Sequence, residues 1–230
     1  MDWYKLPYIC GRIDVMYLGS DFHQFWARCD RETLIHPEDA VVLRDSPFSH
    51  NYLPCPFDGP LQTAKVVVCL ANPNYPAGEN DFQELILDQR SGEEPLPRDW
   101  DYYYSKRLAQ PMGLEMNEVR KLVSVFNVCP YASSEMKDVH QRKAAGLASV
   151  WQAQKFFREV LLPRSRTGNI YLLVVRKHQL WGVTEGSSCP TYGVIRGNEI
   201  WGGLPRARAL EVREWLVKKG HITNQGRCDS

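Results

Sequence analysis

The stretch "KVVVCLANPNYPAG" (residues 65–78) runs from small and β-branched apolar residues straight into Asn-Pro-Asn-Tyr-Pro. Val66 to Ala71 is a near-continuous apolar run closed by a turn, the pattern of a strand buried on both faces. Two asparagines, two prolines and a tyrosine then crowd the loop at its carboxyl end. Two further runs read as buried strands, "LVSVFNV" (122–128) and "NIYLLVVR" (169–176), and "TYGVIRGNEIW" (191–201) reads as a short fourth.

Helical patterns separate these runs. In "NDFQELILDQR" (80–90), Phe82, Leu85 and Ile86 share a face and Asn80 stands where a cap belongs. Residues 100–110 form a short aromatic helix or turn, and 114–122 a helix leading into the second strand. A long helix is expected over roughly 138–162, with Leu147, Val150, Trp151, Phe157 and Leu161 at helical spacing and Pro163 ending it. A closing helix over about 206–219 presents Leu210, Val212, Trp215 and Leu216. Strands alternating with helices mean an α/β fold, with a parallel sheet covered on both faces. Residues 1–60 read as an irregular N-terminal extension packing on a 61–230 domain. Within it "SPFSHNYLPCPFDGP" (46–60) holds four prolines and reads as an extended connector.

The chain has 230 residues, enough for one domain with an extension; 43% are hydrophobic and 24% charged. Its apolar stretches are too short to span a membrane, and its first residues lack the pattern of a secretory signal. Seven cysteines without CxxC spacing give little support to zinc, an iron–sulfur cluster or a disulfide framework. A reducing, cytoplasmic setting and no cofactor are expected. The net charge of +1 hides a split: residues 1–140 carry 13 Lys+Arg against 21 Asp+Glu, and residues 141–230 carry 15 against 6. One basic face for a polyanion fits that split, as does chance.

Parallel α/β sheets bind ligands at the carboxyl ends of their strands, so three loops matter most. The first holds Asn72, Asn74 and Tyr75. A stiff, proline-flanked loop holds an amide still, and an amide can orient a water. The second, "FNVCPYASS" (126–134), places Asn127 at a strand end. An amide has an acceptor and paired donors with which to read a heterocycle edge, or to satisfy nearby backbone. Cys129 in the same loop reads as a structural thiol rather than a nucleophile. The third, "WGGLPRARA" (201–209), combines Gly202, Gly203, Leu204, Arg206 and Arg208. It reads as a plain helix start, or as an apolar wedge with backbone N–H groups and arginines for phosphates. No phosphate-cradling GxxxxGK[ST] or GxGxxG and no GxSxG elbow is present.

Taken together, these motifs resemble the uracil-DNA glycosylase superfamily. "CLANPNYP" is similar to the family's G-[IL]-N-P-G water-activating loop, with Leu70 in place of its first Gly and Asn74 in place of its last. "VFNVCPY" resembles the L-L-N-x-V-L-T strand, with Asn127 at the base-reading position. "IYLLVVR" is similar to the F-L-L-W-G strand. "GGLPRAR" stands where H-P-S-P-L-S or N-P-S-G-L-S precedes the final helix, without the His. The match covers roughly 62–220 in order and spacing.

The resemblance implies a three-layer α/β/α fold with a central, mostly parallel four-stranded sheet. It implies a monofunctional DNA glycosylase, a monomer acting on duplex DNA from which the target base is flipped. Asn72 would position the water that captures an oxocarbenium-like sugar. Asn74, Tyr75, Asn127 and Tyr131 would line the base pocket. Gly202, Gly203, Leu204, Arg206 and Arg208 would hold the DNA. No metal or cofactor is implied. Substrates within reach are glucosylated hydroxymethylcytosine in bacteriophage DNA, as prokaryotic antiviral defence, or uracil and mismatches in repair. A catalytically silent DNA-binding module on the same fold is the alternative, and an unrelated hydrolase using Glu79, Asp81 or His178 is a further one.

Overall fold

The computed structural model describes residues 15–30, 32–73, 82–175, 177–183, 191–195 and 204–223. Its centre is a five-stranded sheet of order β1-β3-β2-β4-β5. The strands are β1 (Phe57–Asp58), β2 (Val66–Leu70), β3 (Val123–Asn127), β4 (Tyr171–Val175) and β5 (Tyr192–Ile195). β2 pairs with β3 and β4 in parallel, β4 with β5 in parallel, and β1 with β3 antiparallel. The four expected strands are all present, and the sheet has a fifth that their pattern did not announce. Its sequence hides it because it is two residues long and sits among prolines. Those prolines fit an edge, since Pro56 has no N–H to offer and presents only its carbonyl, which accepts from Asn127 N–H at 2.8 Å.

Alternation along β2 explains its unbroken apolar character. Val67 and Cys69 enter one core with the aromatic residues of the N-terminal segment, while Val66 and Val68 enter a second core on the opposite face. The first core collects Phe22, Phe25 and Trp26, then Val150, Phe156 and Phe157. The second collects Leu108, Met112, Val119, Val212 and Leu216. Helices thus cover both faces.

The N-terminal segment is more ordered than its composition suggests. It contains the helix Val15–Trp26. Phe22, Phe25 and Trp26 follow helical spacing and are nearly fully buried. Phe22 stacks on Phe156 with ring centroids 4.8 Å apart. Because β1 forms one edge of the sheet and these rings lie inside its core, the N-terminal segment is continuous with the fold it covers.

The long helix expected over 138–162 is two helices. Asp138–Ala144 ends beside Gly146, and a new helix starts at Ala148. Pro163 does not end it. The chain passes through a π-turn at Phe157–Leu161, where Leu162 N–H bonds Phe157 O, and continues as Leu162–Arg166. The helical residues 101–112 use the same device: a π-turn at Ser105–Ala109 with Gln110 N–H on Ser105 O, followed by Pro111. A widened turn just before each proline relieves the ring clash that would break an ordinary helix. Trp151, expected inward, is 65% exposed, and its indole N–H donates to Ala145 O at 2.8 Å.

Gly59 ends the edge strand at φ +84°, where an added Cβ would stand 2.7 Å from Val123 O. Gly59→Ala is therefore expected to cost about 1–3 kcal/mol in backbone strain before any clash is counted, read as a lower urea midpoint; an unchanged midpoint would remove the constraint assigned to this turn.

Candidate functional site

β2 and β3 do not part where their strands end. Leu70 lies opposite Asn127 in the parallel register. Beyond it, Val128 N–H bonds Leu70 O at 3.0 Å and Cys129 N–H bonds Ala71 O at 2.9 Å. Ser133 N–H then reaches Pro73 O at 3.3 Å. This zipper brings the first and second loops together at the carboxyl edge of the sheet and sets Asn72 just beyond the Leu70–Asn127 rung.

The Asn72 amide nitrogen is held on all sides. It lies 2.9 Å from Pro73 O, 2.9 Å from Ser133 Oγ, 3.2 Å from Ser133 O and 3.4 Å from Tyr131 O. Ser133 Oγ donates to Glu135 O at 2.7 Å, so it accepts from Asn72. Three carbonyls around one position fix it as the nitrogen, because Oδ1 there would meet only acceptors. The Oδ1 atom enters no hydrogen bond among the described residues. Asn72 is only partly buried. The loop therefore clamps the donor end of the amide and leaves its acceptor end without a partner among the described residues.

Asn127 is 2% exposed. Its Nδ2 donates to Cys55 O at 3.1 Å, while its Oδ1 is buried without a hydrogen-bond partner. An unpaired buried carbonyl of this kind costs about 1–3 kcal/mol, and a ligand N–H would relieve that cost. Alternation puts Asn127 on the same sheet face as Val123 and Val125.

The Cys55 segment ties Asn127 to a buried carboxyl. Cys55 Sγ donates to Asp58 Oδ1 at 3.1 Å, and Tyr104 O–H donates to Asp58 Oδ2 at 3.1 Å. Burial raises the Asp58 carboxyl to about 6, against a partial lowering by its two donors. Sequence reasoning passed over Asp58; Asp-Gly after a proline-rich run reads as a turn, and only the antiparallel pairing of β1 carries the side chain inside.

Other expected site residues are placed differently. Tyr131 is 1% exposed and faces the N-terminal segment: its O–H donates to Asp39 Oδ2 at 2.7 Å and accepts from His36 N–H at 3.1 Å. Burial, with the Asp39 carboxylate beside it, pushes the phenol far up. Asp39 Oδ1 in turn accepts Ser149 N–H at 3.1 Å, at the start of the 148–156 helix. Tyr131 is a structural strut, and the base-pocket role expected of it is withdrawn. Leu204 is 7% exposed and packed in the second core, so it does not project as a wedge. Arg208 is committed at 2.5 Å to Glu211, which also accepts from Tyr171 O–H at 3.2 Å. Gly193 makes room for this guanidinium, since a Cβ there would stand 3.3 Å from Arg208 Cζ. Arg206 is exposed. Asn74, Tyr75, Gly202 and Gly203 lie outside the described residues, as do Glu79 and Asp81. Cys129 is fully buried with its thiol pushed up by burial, which fits a structural thiol. Among the described residues no group of His, Cys, Asp and Glu is placed to hold a metal, and no helix is long and apolar enough to cross a membrane.

No protein-family model, no curated protein and no solved structure matches this chain.

Two outcomes test these assignments. Tyr131→Phe removes one bond to a charged group and is expected to lower stability by about 1.5–3 kcal/mol in urea unfolding, whereas a ring that only lines a pocket would leave stability unchanged. Asp58 has a folded value of about 6 above its ordinary 3.8, so the folded state holds the proton more tightly. Its contribution to stability is greatest below pH 3.8, falls as pH rises to about 6, and is flat above. Asp58→Asn is expected to abolish that fall in urea midpoints measured from pH 4 to 7; an unaltered pH profile would contradict the buried carboxyl.

Proposed function

We propose that this chain is a monofunctional DNA glycosylase of uracil-DNA glycosylase-like, three-layer architecture. It accepts a modified or damaged pyrimidine flipped out of DNA and hydrolyses the N-glycosidic bond, leaving an abasic site. The supporting observation is the pair of strand-end amides. Asn72 has its nitrogen clamped and its oxygen unpaired among the described residues, and Asn127 has a buried oxygen in need of a donor.

The chemistry follows from those two atoms. Asn127 Oδ1 accepts an N–H on the base edge, selecting a base that carries one at that place. The bond from C1′ to the base breaks with its electron pair on the base, leaving an oxocarbenium-like sugar. A water held by Asn72 Oδ1 adds its oxygen to C1′. One of its protons passes to solvent, because an amide cannot take it as a carboxylate would, and the departing base anion takes a proton from solvent. The flipped nucleotide pays its unstacking cost against DNA contacts made elsewhere on the surface.

Modified cytosine in bacteriophage DNA, including the glucosylated hydroxymethyl form, is the substrate we put first, with uracil or mismatch repair second. The buried Leu204 and the absent His favour a second reading, a DNA-binding module without catalysis. DNA containing uracil and phage DNA containing glucosylated hydroxymethylcytosine, each incubated with the protein and treated with alkali, separate the readings. Strand breaks in either DNA are expected from the wild type. Asn72→Ala is expected to reduce their rate by roughly 10²-fold or more with folding intact. Equal rates in wild type and variant would remove Asn72 from the mechanism, and no breaks in either DNA would favour the binding module.

A further inference from the structure

The aromatic run at 100–104 is divided by the fold. Tyr104 is 3% exposed and packs in the second core, and Trp100 is half-buried against it. Tyr102 and Tyr103 point outward, 75% and 41% exposed. Each carries a cation one turn further on. Lys106 Nζ lies 4.2 Å from the centroid of the Tyr102 ring and 2.5 Å from its hydroxyl. Arg107 Cζ lies 4.8 Å from the centroid of the Tyr103 ring. The one acidic residue of 101–112 is Asp101, and Arg120 occupies it with a paired guanidinium contact. Lys106 and Arg107 enter no ion pair with a carboxylate among the described residues. The outward face is thus aromatic and positively charged together.

Its position is fixed by Pro111. A proline has no N–H to give the carbonyl four residues earlier, which is that of Arg107. Arg107 O instead accepts Leu204 N–H at 3.4 Å. This joins the helix to the segment that leads through Pro205 into exposed Arg206.

We propose that Tyr102, Tyr103, Lys106 and Arg107 form a stacking platform for unpaired bases of a DNA strand. The identification of the nucleic acid as DNA rests on the glycosylase reading; the platform itself rests on the rings and their cations. Aromatic faces take any base by stacking, and neighbouring cations take the phosphates between bases. Bases inside a duplex have their faces covered by one another, so a platform of this kind selects single-stranded or locally opened DNA.

Fluorescence anisotropy with a labelled mixed-sequence oligonucleotide, single-stranded or as a blunt duplex, tests this on the full chain. The wild type is expected to bind the single strand more tightly than the duplex. Tyr102→Ala with Tyr103→Ala is expected to weaken single-strand binding roughly tenfold or more, measured at a temperature where circular dichroism shows the variant folded. The Tyr102→Phe, Tyr103→Phe pair keeps the stacking faces and is expected to bind as the wild type does. The proposal is overturned if the duplex binds as tightly as the single strand, if the alanine pair binds as the wild type does, or if RNA of the same sequence binds more tightly than DNA. Base excision is read separately: single-strand binding without excision would remove the glycosylase and leave the platform, and excision without single-strand preference would do the reverse.

Discussion

The parallel ladder between β2 and β3 is the constraint on which the candidate site depends. Its register sets Leu70 opposite Asn127, and its continuation through Val128 and Cys129 draws two loops into one edge. Without that continuation the Ser133 hydroxyl and the carbonyls of Tyr131 and Ser133 would not meet the Asn72 nitrogen, and its amide would turn freely. β2 can serve as the central element because both its faces and both its edges are covered. Its cysteine and valines meet apolar partners on each side, and its backbone groups meet β3 and β4.

A second node holds the same loop from the other direction. Asp39 is fully buried, and its two oxygens take Tyr131 O–H and Ser149 N–H. A carboxylate at the start of the 148–156 helix meets the positive end of the helix dipole and free backbone donors. His36 joins this node through its backbone, while its ring stacks on Phe25 at 3.7 Å and its Nε2 lies 3.0 Å from Phe25 O. Burial lowers the His36 value, which suits a neutral ring in this packing. The N-terminal segment therefore acts on the site through the backbone of residues 131–133, which it anchors.

Polar groups at the sheet edge differ in how fully they are satisfied. Asp58 receives two donors, Asp39 two, and the Asn72 nitrogen is surrounded by acceptors. Asn127 Oδ1 is left over. Buried polar atoms are nearly always paired, so this oxygen carries an uncompensated desolvation cost, as do other buried atoms such as Ser149 Oγ and His140 Nδ1.

The sequence by itself determined the strands and the two asparagines at their ends. Unbroken β-branched runs and Asn-Pro breaks are local signals, and local signals survive without a partner. The N-terminal segment read as irregular, and only the packing of Phe22, Phe25 and Trp26 into the first core showed the helix that carries them. Tertiary structure alone decided the rest. Tyr131 and Leu204 lie in loops, where sequence carries no period to say which way a side chain faces, and packing turned both inward. Asp58 was buried by an edge strand too short to leave a pattern. Pro163 read as a break until a π-turn, which depends on the packing of neighbouring residues, absorbed it. Whether an amide's acceptor end is spent or available depends on atoms dozens of residues away in the chain, and only the folded chain brings those atoms within hydrogen-bond reach.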